Sequence, residues 1–195
     1  EALVVHREAL DQVLAQRERP AFTERMRFAW TLSEQAFEIT APAPPTATTS
    51  AALEQWSGTT LREWAQQKLH AVETARRELD GAAEENHRQR IIAGALVGLL
   101  YEGVATVLAS VPVPTELTSD AEIAQIYHEV VEAQASPALE FARRAYSACA
   151  QNAANPSDMR YWKPFCQGRG RRLPARSAST LPPGGETTIE VVSDD

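Results

Sequence analysis

Of 195 residues, only two are cysteine, four are histidine and nine are glycine. The glycines stand mostly at the ends of segments, and Ala, Glu, Leu, Gln and Arg dominate between them, a balance that favours an all-helical chain over a sheet. The histidines, His6, His70, His87 and His128, share no metal-ligand spacing, and none stands close in sequence to a cysteine or a carboxylate pair. A Gly-x-Ser-x-Gly elbow is missing, and "GRGRR" at 168–172 lacks both the flanking strand and the Lys-Ser/Thr of a phosphate cradle. Glu84, Glu85 and Glu132 have no identifiable partner for paired-carboxylate chemistry. Catalysis, a metal and a cofactor are therefore not expected.

Positive charge is also in short supply. With 19 basic and 26 acidic residues the net charge is −7, which argues against general nucleic-acid affinity. The shortage is uneven, because Arg160, Lys163, Arg169, Arg171, Arg172 and Arg176 fall in one acid-free stretch, leaving 13 basic and 26 acidic residues elsewhere. No run approaches the roughly 20 apolar residues of a membrane-spanning helix. The closest, "IIAGALVGLLYEGVATVLASV", carries Glu102 near its middle and reads as a buried core helix. The first residue is Glu1 and no leader pattern follows, so the chain reads as processed or as excised from a longer one.

What is present is 44% apolar content, enough for a core in one domain or one and a half. A first helix is expected over about 1–17, and Pro20 suits the turn before a second that aligns Phe22, Met26, Ala29, Trp30, Ser33 and Phe37. "TAPAPPTATTS" at 40–50 has three prolines, four threonines and no charge, and reads as a linker permitting some independent motion of the first hairpin. Thr60 and Glu63 form a capping-box pattern opening a third helix, which Asp80-Gly81 is expected to end. The most apolar helix follows, from Ala82 to about Ser110, and "VPVP" stops it. Ser119 and Glu122 form a second capping box before a long helix that Pro137 breaks or kinks. The end, Ser177 to Asp195, reads as disordered, or as an extended segment docking through Ile189 and Val191.

Val97-Gly98-x-x-Tyr101 matches the Leu-Gly-x-x-Tyr core of a tetratricopeptide repeat. With the following "VPVP", "ARRAYSACAQNA" and "YWKPFC", residues 91–173 resemble tetratricopeptide-type helical proteins of the bacterial envelope, abundant in myxobacteria and related deltaproteobacteria and in part associated with gliding motility. The resemblance implies an α-hairpin stack that binds other proteins of the cell envelope, in the periplasm or at the outer membrane, with no catalytic residues. Cys149 and Cys166 lie on either side of a turn, and that placement together with the envelope resemblance makes a disulfide the expectation over a buried or exposed free thiol. Reduced cysteines would instead indicate the cytoplasm.

The organisation expected is all-α, stacked antiparallel hairpins in a tetratricopeptide-like solenoid: an N-terminal hairpin (1–39), a linker (40–50), the helical domain (51–175) and a tail (176–195). Arg160, Tyr161, Trp162, Lys163, Phe165, Arg169, Arg171 and Arg172 form a candidate interaction patch. Such a stretch suits an acidic protein face, anionic lipid or single-stranded nucleic acid, or else it is core aromatics and solvated arginines. The expected role is a protein–protein interaction or scaffolding component, the alternative a permanent structural subunit of a larger envelope or membrane-associated complex, anchored by the basic C-terminal segment.

Overall fold

The computed structural model describes residues 22–155 and 159–174. The expected first helix (1–17) and the tail (176–195) lie outside the described residues, which contain helices and no strand.

Helix α1 (Glu24–Glu38) begins where the Thr23 hydroxyl accepts from the Met26 amide. It buries Met26, Ala29, Ser33 and Ala36, close to the stripe expected from the sequence. Ser33 is tolerated there because its hydroxyl donates 2.8 Å back to the Ala29 carbonyl. Beyond α1, the buried Lys68 ammonium donates to the Ala36 and Ile39 carbonyls, closing a helix end whose last carbonyls have no intrahelical partner.

The next helix starts ten residues before the expected capping box. α2 (Ser50–Trp56) is capped by Thr49 and runs through a wide π turn (Ser57–Leu61) directly into α3 (Arg62–Glu85). Thr59 turns its hydroxyl to the Gln55 carbonyl, 2.7 Å away, so this segment is helix interior and Thr60 caps nothing. Gly81 does not end α3 either. A Cβ there would come within 2.0 Å of the Arg25 guanidinium, which crosses α3 to reach Glu78, so a larger residue would have to push that side chain aside. The break comes at Asn86, whose extended backbone ends α3 and whose side chain accepts from the Gln89 amide to start α4 (His87–Ala109).

α4 is the core. Ile91, Ile92, Ala95, Leu96, Leu99, Leu100 and Val104 are almost fully buried, between α3 on one side and α5 (Ala121–Asn152) on the other. Both neighbours run antiparallel to it: Tyr101 reaches Glu73 of α3 and stacks on Phe141 of α5, while His87 Nε2 lies 2.8 Å from the Asn152 carbonyl. One expectation needs correcting. By length and composition α4 is apolar enough to cross a membrane, and in this fold 61% of that stretch is buried against the other helices.

Asp120, and not Ser119, caps α5, accepting from the Glu122 and Ile123 amides, and the helix continues through Pro137 without a break. The far end of the Pro/Thr-rich segment is tied to the α4–α5 connection: Thr115 N–H donates to the Thr48 carbonyl, and Glu116 accepts from the Ser50 amide. α1 packs along α3, so residues 22–39 share the core with the rest.

Candidate functional site

After α5 the chain returns as α6 (Trp162–Arg172), an eleven-residue helix with two glycines and three arginines that has little intrinsic reason to form alone. Three attachments hold it to the bundle. Cys149 and Cys166 are disulfide-bonded, with Cα atoms 6.1 Å apart, as expected. Trp162 is buried with Met159 and Leu173 at either end of the segment, and Phe165 meets it edge-on.

The third attachment is a buried polar cluster. The Arg169 guanidinium grips the Glu102 carboxylate in two-pronged fashion, at 2.8 and 3.1 Å, with both side chains nearly out of water. Tyr146 of α5 donates its hydroxyl to the same carboxylate. Burial, and after it the neighbouring Glu102 charge, push the Tyr146 phenol far above its ordinary value, so it stays a donor. Gly98 makes room for the ring: a Cβ there would lie 2.4 Å from it. The glycine of the repeat-like motif thus serves to seat the Tyr146 ring of α5 against α4. Val97 is half-buried, and Tyr101 turns the other way, to Glu73, which also pairs with Arg76.

Between α5 and α6 the attachments leave an open groove of about 790 Å³. Its floor is Tyr146 and Cys166, both buried, with half-buried Ala150 and Gly170. α5 supplies Arg143, Arg144, Ser147 and Gln151 along one wall, and α6 supplies Lys163, Gln167 and Arg171 along the other. Four cations line it and no carboxylate does. Arg143 is anchored by Glu140 and the Pro174 carbonyl, whereas Arg144 lies over the Phe141 ring and is exposed, as are Lys163 and Arg171.

The fold therefore divides the expected patch. Lys163 and Arg171 face the groove; Arg160 stacks on Tyr161, both exposed at the start of α6, and Arg172 is exposed at its end. Trp162 and Arg169, at 4% and 7% exposure, are not surface residues at all, because one fills the core and the other is spent on Glu102. Sequence reasoning missed Arg143 and Arg144. The signal was present in "ARRAYSACAQNA", where the two arginines and Ser147, Ala150 and Gln151 recur every three or four residues, but only the return of α6 turns that stripe into a groove wall. Compared with known proteins, the chain matches no family model, no curated protein and no solved structure.

Proposed function

We propose that this protein is a non-enzymatic protein–protein interaction component of the bacterial cell envelope, periplasmic or outer-membrane-associated, whose α5–α6 groove receives an acidic segment of a partner. The observation that carries this reading is the groove itself: a floor containing apolar surface, four cations on the walls and no carboxylate among the lining residues. Cations on both walls favour an anionic occupant, and the apolar floor favours an amphipathic one over a bare polyanion. The disulfide suits an oxidising compartment. The antiparallel neighbours α3, α4 and α5 support the tetratricopeptide-like hairpin stack of the resemblance.

A second reading, a permanent subunit of a larger envelope complex, is favoured by one feature. Ile123, Ile126 and Val130 form an exposed apolar stripe on the first half of α5.

The test is fluorescence anisotropy of a labelled synthetic helix with leucines on one face and glutamates at its edges, against the oxidised protein. Binding should weaken as salt rises and be lost in the Arg144→Glu/Lys163→Glu variant. Equal binding of the lysine analogue, or preference for phosphatidylglycerol vesicles or an oligonucleotide over the peptide, would refute the reading.

A further inference from the structure

The groove has a counterpart on the same molecule. Residues 121–134 of α5 carry no buried side chain, and their charged residues, Glu122, Glu129 and Glu132, are acidic apart from the titratable His128. Ile123, Ile126 and Val130 lie on one helical stripe by their spacing of three and four. Glu122 and Glu129 share a second row along one edge of that stripe, seven residues or about 10.5 Å apart along the axis. Across the gap, Lys163 and Arg171 stand eight residues apart on α6, about 12 Å. An apolar stripe edged by two carboxylates and an apolar-floored groove with two cations at matching spacing are complementary in charge, chemistry and length.

Resting on the reading of the groove as a site for an acidic amphipathic segment, we infer that its occupant is the projecting half of α5 from a second copy of this chain. The two surfaces lie at opposite ends of one rigid helix, with centres near residues 128 and 148, about 30 Å apart, so a molecule cannot fill its own groove. The contact is therefore head-to-tail. Each copy offers a helix to the next and a groove to the one before, which gives a chain that grows with concentration or closes into a ring. It also accounts for the coexistence of an exposed apolar stripe and a groove lined by cations and by no carboxylate, each of which covers the other.

The decisive experiment uses two variants of the full, oxidised chain. Glu122→Arg/Glu129→Arg spoils the helix and keeps the groove; Arg144→Glu/Lys163→Glu spoils the groove and keeps the helix. By sedimentation equilibrium the wild type should rise above the 21.4 kDa monomer with concentration, while each variant alone stays monomeric. Mixed in equal amounts, they should form a dimer of twice the monomer mass and nothing larger, because only one helix and one groove remain intact. A wild type that is monomeric at every concentration, or a mixture that gives no dimer, overturns the inference. If the wild type is monomeric yet the acidic peptide binds, the groove reading survives without it; if the peptide also fails, both readings fall.

Discussion

From Ala135 to Asn152, α5 is walled in by α4 and α6 and buries Ala135, Ala138, Ala142, Tyr146 and Cys149. From Ala121 to Gln134 no side chain is fully buried, Ala124, Tyr127 and Val131 are half-buried, and Ile123, Ile126 and Val130 stand 45%, 53% and 44% exposed. Side-chain hydrophobicity does not explain the contrast, since the exposed half has the isoleucines and valines and the buried half is mostly alanine. Neighbours explain it. α4 runs antiparallel and stops at Ala109, and α6 returns only along the last turns, so the first half of α5 has no described helix to pack on. An apolar stripe is buried only as far as its partner extends, and small residues mark where two helices come close.

The largest expected difference between the halves lies in their carboxylates. Glu102→Ala leaves the Arg169 guanidinium buried without its main counterion, which should cost about 3–5 kcal/mol and lower the urea midpoint accordingly. Glu129→Ala, on the projecting half, should change stability by no more than about 0.5 kcal/mol. Equal effects would mean that the Glu102–Arg169 pair does not clamp α6 to α4.

Next in size is the disulfide. Replacing both cysteines, Cys149→Ala with Cys166→Ala, should cost about 3 kcal/mol in the chain-entropy account of a loop this long and speed amide exchange in α6 before the rest of the bundle. Exchange in α5 before Ala135 should not change. Alkylation of unreduced, denatured protein should label neither cysteine until a reductant is added.

Lys68 offers the same contrast at the other end of the fold, where burial pulls its ammonium down from 10.5 to about 8. The folded state then releases its proton at lower pH than the unfolded chain does. The cost of burying the charge is thus fully present below pH 8, and stability should rise as pH increases from 8 towards 10.5, by roughly 1–3 kcal/mol. Lys68→Met should flatten that rise, measured as the difference in denaturation midpoint between the two proteins across the window.

How much of this could be read from the sequence depended on whether the cause was local. The stripe of α1 and the apolar run of α4 follow from spacing within a few residues, and both are present in the structure, as is the Cys149–Cys166 bond expected from the placement of the two cysteines together with the envelope resemblance. The caps were displaced, from Thr60 to Thr49 and from Ser119 to Asp120, because a π turn and a competing neighbour decided which side chain met the free amides. Gly81 was misread for a different reason: α3 continues past it to Glu85, and the side chain lying over it comes from Arg25, 56 residues away in the chain. Arg169 likewise read as one more surface cation until Glu102, 67 residues distant, was found beside it. The groove is the extreme case, since neither of its walls is a site until the other is in place.

The smallest effect is also the sharpest test of the comparison, because it uses one substitution twice. Ala142→Leu adds a branched side chain where α5 is fully buried, and the packed surroundings can absorb it only by shifting, at about 1–3 kcal/mol. Ala133→Leu adds the same atoms at an exposed position of the projecting half, where stability should stay within about 0.5 kcal/mol. The second change should act elsewhere. Residue 133 follows Ile126 and Val130 along the helix by seven and three positions, so the new leucine widens the apolar stripe and should shift the onset of head-to-tail association to lower concentration. A destabilised Ala133→Leu monomer would show that something in the chain already packs on that face, and the surface taken to await a second copy would be occupied from within.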